Sequence, residues 1–242
     1  MIAQRLAIAC FVPLLGCCVF NVGAGAEGEP EFLAGTSRTC PKCSLERTVL
    51  KRRDLSGADL TGANLAGAVL HRARLAHAVL AGADLTDANL NKADLKYASL
   101  ARANLAGVML YEADLGLADL SDAVLSGAKM GKARLPRAVL DRAVLKDAIL
   151  TGARLDDASL RRANLEGADL NNAGLVDAVL ANANLKSANL AEADLLGADL
   201  TGANLEGADL SEARLTRTIL TGAVLDGAKL TGTLMPDGSV HD

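Results

Sequence analysis

Cys40 and Cys43, in the run Cys-Pro-Lys-Cys, are the pair in this chain whose type and spacing most resemble reactive chemistry. Two thiols three apart exchange disulfides when they open a helix that follows a strand. They hold zinc when a second Cys pair or a His cluster completes four ligands. No second Cys pair or His cluster accompanies Cys40 and Cys43, and no strand-then-helix pattern follows them. The three histidines, His71, His77 and His241, are scattered, and no acid or nucleophile is placed to work with them. Ser, Thr, Asp and Asn are abundant but recur at regular intervals, as surface and corner residues do. We therefore expect no catalytic residue, no cofactor-binding residue and no metal ligand. The question becomes what sort of element carries these side chains.

Composition narrows it. Half of the 242 residues are apolar but only 2% are aromatic, so the interior is built from Leu, Ala and Val. That describes a thin, repetitive core rather than a rounded one. A net charge of -4 gives no global attraction to nucleic acid or anionic lipid.

Every fifth position over 45–230 is Leu, except Met130. Two places earlier stands Ala, from Ala58 to Ala228, except Val108 and Thr218. Asp or Asn often precedes Leu, as in Asp59 and Asn64, and Gly often stands two after it, as in Gly62 and Gly67. A helix would need apolar residues near a 3.6 spacing and a two-faced strand near 2.0. A strict period of five suits a chain that turns a corner every five residues. Leu and Ala, two apart, then point to one side of a short extended segment. Gly falls where a type II turn wants positive φ. Four sides close a square of twenty residues, and stacked coils pair their backbones about 4.8 Å apart. In this register Cys40 sits on the Leu phase and Cys43 on the Ala phase. Both are expected to point inward as cap residues, close enough to form a disulfide in an oxidising compartment.

The unit Ala-Asp-Leu-Thr-Gly, at residues 58–62, resembles the signature of the pentapeptide-repeat family, and the likeness runs over residues 45–235. The resemblance implies an all-β fold: a right-handed quadrilateral β-helix, a solenoid of about nine coils and on the order of 43 Å long. Phe32 and Leu33, followed by the Cys pair, resemble the N-terminal segment of one variety of the family, and 235–239 its closing turn.

Residues 1–5 carry a positive start, 6–22 are almost wholly apolar, and Ala24-Gly25-Ala26 offers small residues for signal peptidase. Leu14-Leu15-Gly16-Cys17 resembles a lipobox, which makes Cys17 a candidate for lipidation. Either route exports the chain to the periplasm or cell envelope. The organisation expected is a signal at 1–26, a cap segment at 27–44, the β-helix at 45–235 and a tail at 236–242.

Function should then lie on the surface. Tyr97 and Leu117 fall in one column, Val176 and Leu196 in another on the same side of the rod. These four are candidates for a contact strip. Charge is uneven: residues 129–162 hold nine Lys or Arg against four Asp or Glu, and 163–213 hold one Lys against nine acids. The reading that follows is a non-enzymatic scaffold with a protein partner. The alternative comes from relatives that mimic DNA and protect type II topoisomerases. Export and the basic waist both argue against it. Nucleic acid is argued against by the scarcity of aromatics for stacking, and membrane contact is expected only through a lipid anchor. The tail is expected to fold back so that Val240 covers the last coil. That favours a monomer over an end-to-end dimer.

Overall fold

In the pentapeptide 59–63 every backbone N–H finds an acceptor, and the fold follows from that accounting. Asp59 N–H donates to Arg38 O of the coil before (2.8 Å), and Leu60 N–H to Val79 O of the coil after (2.8 Å). Gly62 N–H also donates forward, to Ala81 O at 2.9 Å, while Ala63 N–H closes a turn on Leu60 O at 3.0 Å. The remaining donor, Thr61 N–H, is taken by the Asp59 carboxylate at 3.0 Å. This is the reason for Asp or Asn before Leu: its side chain bonds the one amide that neither the ladder nor the turn uses. Asn64, Asp84, Asn104, Asp169 and Asn204 do the same. Where Met109 stands instead, Asn91 of the preceding coil bonds Tyr111 N–H at 2.8 Å. Proline obeys the same rule. Pro41, Pro136 and Pro236 all fall on this phase, where no ladder bond is lost.

The computed structural model describes residues 28–242. The expected signal at 1–26 and Cys17 lie outside the described residues. Parallel bridges join residues twenty apart, from Thr39↔Asp59 to Arg214↔Leu234. Each side of the square contributes a single bridging residue, so the sides are too short to count as strands. The ladder begins at Thr39 and so includes the cysteine segment. Ala and Leu of the repeat are buried along nearly the whole length, with Val108 and Met130 accommodated in their phases. Thr218, on the Ala phase, bonds Leu195 O at 2.7 Å and is thereby satisfied in the core.

The corner residue two after Leu has positive φ at every turn, as a type II turn demands, but glycine is not required. Twenty-five non-glycine residues adopt φ of 54–62° there, among them Arg72, Tyr97 and Arg142. The strain of each is offset by three inter-coil hydrogen bonds per pentapeptide, and the side chain leaves the rod freely.

At the N-terminal end a short helix, α1 (Glu29–Ala34), lies across the first coil and buries Phe32. Arg53 stands on the Ala phase there, where the interior opens. Its guanidinium donates to Phe32 O (3.2 Å) and to Leu33 O at the end of α1. At the C-terminal end the tail does fold back. β1 (Thr233–Leu234) pairs antiparallel with β2 (Val240–His241) through a turn in which Asp237 caps Ser239. Val240, however, is 61% exposed and does not cover the last coil. The hairpin continues the backbone of one side and does not cross the square, so Leu220, Leu225 and Leu230 stay only partly buried.

Candidate functional site

Cys40 and Cys43 are both fully buried at the N-terminal end of the core, and a disulfide joins them across a Cα separation of 5.4 Å. Cys43 N–H also closes the turn on Cys40 O at 3.3 Å, the bond that Ala makes to Leu in every later side. The pair thus occupies two ordinary inward positions. Among the described residues no three His, Cys, Asp or Glu side chains converge as a metal site.

The corners separate the surface candidates into two kinds. Tyr97 and Leu117, on the positive-φ phase, are 51% and 45% exposed. Val176 and Leu196, one place earlier in the turn, are only half-buried neighbours in their column. The first turn residue lies against the coils above and below, whereas the second projects. His77 extends the exposed column: its ring stacks on Tyr97 with centroids 4.7 Å apart and planes 1° from parallel. The spacing of twenty between His77 and Tyr97 was the available signal for that contact. Beside the column, Lys96, Gly116, Leu117 and Pro136 line a shallow groove that glycine opens. His71 stands on a different corner, among cations, so the histidines do not assemble.

Opposite charges twenty apart stack into rungs. Arg142 clamps Asp122 with two bonds of 2.7 Å, Lys146 meets Glu166 at 2.9 Å and Lys186 meets Glu206 at 2.9 Å. These exposed pairs add little stability singly, but like charges one coil out of register would repel, so they favour the observed stacking.

A family model for pentapeptide repeats matches eight times, over residues 43–82, 54–91, 83–122, 118–157, 138–175, 158–197, 178–217 and 198–235. The chain belongs to the pentapeptide-repeat family. Among solved structures it is similar to HetL, a pentapeptide-repeat protein involved in heterocyst differentiation regulation in the cyanobacterium Nostoc sp. strain PCC 7120. Identity is 35%, the match covers 88% of this chain and 97% of that one, and the TM-score is 0.61. It also resembles Rfr23 from the cyanobacterium Cyanothece 51142 at 40% identity over 40% of this chain and 66% of that one, with a TM-score of 0.38. The plasmid-mediated fluoroquinolone resistance protein QnrB1 matches at 20% identity over 71% and 88% of the two chains, with a TM-score of 0.43. No curated protein sequence matches the chain.

In this pentapeptide-repeat protein the corner carboxylates are also titration sites. Asp209 is lowered to about 2, first by the Ser211 hydroxyl, then by Ser211 N–H and then by the Lys229 ammonium. Asp59 and Asp199 are lowered by Thr61 and Thr201 in the same way. A carboxyl whose folded pKa is depressed contributes stability above its unfolded value, and that contribution disappears as pH falls through the folded value. The protein should therefore lose thermal stability between about pH 4 and pH 2. Asp209→Asn keeps the Oδ1 acceptor and removes the charge, so its melting temperature should fall less steeply over that window. Parallel curves for the two proteins would show that Asp209 does not contribute this way.

The last coil differs from all others. Among the described residues the N–H groups of Leu220, Gly222, Leu225, Gly227 and Leu230 have no acceptor, although the equivalent donors of earlier coils bond the coil beyond. Only one side is covered, by the β1–β2 hairpin, through bonds such as Gly232 N–H to His241 O at 2.7 Å.

Proposed function

We propose that this protein is a non-enzymatic scaffold of the periplasm or cell envelope: a right-handed rod of about nine coils, monomeric, that binds a protein partner at its C-terminal end. The open last coil carries this reading. Five unpaired N–H donors beside half-buried leucines form an open edge, and a segment of another chain that bends at the corners as the coils do can pair with it. In this reading export is by the signal at 1–26, with or without lipidation of Cys17, and Cys40–Cys43 stays oxidised in that compartment. A topoisomerase-directed DNA mimic is less well supported, because Lys146 and Lys186 neutralise the acids beside them.

A photo-reactive residue placed at Asp226 on the last coil should trap a partner in cells, and one at Glu192 on the side of the rod should not. Identical products from both positions, or none from Asp226, would overturn the assignment of the end. Monomeric state has its own test. The β1–β2 hairpin occupies one side of this end and stands in the way of a second last coil. Full-length protein should sediment as a monomer, and deletion of residues 234–242 should promote association. A full-length dimer, or a truncated monomer, would refute the role given to the tail.

A further inference from the structure

The first coil is ringed by cations. Lys42, Arg47 and Arg52 occupy the projecting, positive-φ phase on three of its four corners, and Lys51 stands beside Arg52. One coil further on, Arg72 continues the last of these columns. All five side chains are exposed. Among the described residues Lys42, Lys51, Arg52 and Arg72 form no ion pair. Arg47 meets only its neighbour Glu46, at 3.5 Å.

Residues 38–82 hold eight Lys or Arg against three Asp or Glu. Glu29 and Glu31 of α1 reduce the excess without reversing it. The other cations of this end are engaged. Arg38 donates to Ser56 O at 2.6 Å, Arg53 holds α1, Arg74 lies 3.7 Å from Asp54, and Lys92 lies 3.2 Å from Glu112. His71 stands among these cations. Its imidazole is held below its usual value, first by desolvation and then by Arg72, Lys51, Lys92 and Arg52.

We infer that this end of the rod docks end-on against an anionic phospholipid surface. The shape of the patch selects that partner. Cations on three corners of one terminal coil define a plane across the rod axis, which suits a flat sheet of phosphates. A linear polyanion would be matched by a track along one column, and these columns change sign. Arg52, Arg72 and Lys92 are followed by Glu112. Val49, 73% exposed between the Arg47 and Arg52 corners, and the exposed Leu33 of α1 add apolar contact at the same end. The chain outside the described residues joins at Gly28, on this end, and carries the apolar run 6–22. The acid-rich stretch 163–213 is directed away from the surface.

Electrostatic attachment of this kind is weak, salt-sensitive and additive with an acyl or apolar anchor. Whether the protein meets such a surface in cells rests on the export proposed above, but vesicle binding does not. The test is flotation of the full chain with phosphatidylcholine vesicles and with vesicles containing about one-third phosphatidylglycerol. The apolar segment contributes to both, so the gain on adding phosphatidylglycerol is the readout. That gain should vanish at about 0.5 M salt. It should fall about tenfold or more in Lys42→Glu/Arg47→Glu/Arg52→Glu, and stay within about twofold in Lys132→Glu/Arg161→Glu/Arg162→Glu, which makes the same charge change at mid-rod. If the first triple variant loses its fold, the corresponding Gln variant is used in its place. No gain with anionic vesicles, equal loss in the two triple variants, or equally tight binding of soluble polyphosphate would each overturn the inference.

Discussion

Leu140→Asp should abolish the cooperative unfolding transition of the rod. Leu140 is completely buried at mid-length, and its N–H is tied to Ser159 O of the next coil at 2.6 Å. Leu120 and Leu160 stand above and below it on the same phase and are equally buried. A carboxylate there has no cation and no donor within the leucine stack. Leaving it unpaired costs several kcal/mol, a large part of the net stability of a domain. In a solenoid each coil is stabilised by its neighbours, so a failed central coil separates the two halves. The melt followed by circular dichroism should broaden and begin well below that of the parent. Leu140→Met should stay within about 1.5 kcal/mol of it, since Met130 already occupies this phase fully buried. An Asp variant that melts like the parent would mean that the leucine phase does not face inward in solution.

Ala128→Phe and Lys129→Phe place the same ring at adjacent residues, and they should differ sharply. Ala128 is fully buried, where four sides each turn a Leu and an Ala into a narrow square. Val108, one coil earlier on the same phase, marks the scale of enlargement tolerated; a phenyl ring far exceeds it. Overpacking by that amount costs about 1–3 kcal/mol or more. Lys129 points outward between Met109 and Ile149, to which it is bridged, and its ammonium makes no ion pair among the described residues. An aromatic residue in that apolar column should be close to neutral, within about 0.5 kcal/mol. Asp141, also outward, is a poorer control because its carboxylate bonds the Ser159 hydroxyl at 2.6 Å and Arg161 N–H at 3.0 Å. Comparable damage from Ala128→Phe and Lys129→Phe in urea unfolding would count against a narrow square interior.

The five-residue period was enough to assign most of the molecule. An extended segment that must bury Ala and Leu on one side, then turn, leaves few other arrangements. The inward placement of Cys40, Leu140 and Ala143 follows from phase alone, and so does the stacking of residues twenty apart. The role of Asp and Asn before Leu was legible in outline, because short polar side chains bond nearby amides in any turn. Pro at 41, 136 and 236 carried the complementary signal, marking the phase whose N–H is spare.

The two turn positions were less distinct in the sequence. Tyr97 and Val176 both read as exposed, yet only Tyr97 projects. Which of two successive corner residues leans on its stacked neighbours depends on backbone φ at the second, and periodicity carries no sign of φ once Arg, Lys or Asp replaces Gly there. The six residues of α1 are too few to show a helical period. Only Pro30 near the start and Gly35 just past the end hint at it.

The sequence by itself determined the repeat unit, the inward and outward phases, the family and the columns, because each depends on residues five or twenty apart in an unbroken register. Tertiary structure alone decided the two ends. The helix α1 and Arg53 close the first coil, whereas the tail spends its hydrogen bonds on a single side and leaves Leu220, Leu225 and Leu230 half-buried with their N–H groups free. The reason is physical. An interior coil is specified by neighbours with the same sequence pattern, but a terminal coil has one neighbour missing, and nothing in a period says what replaces it.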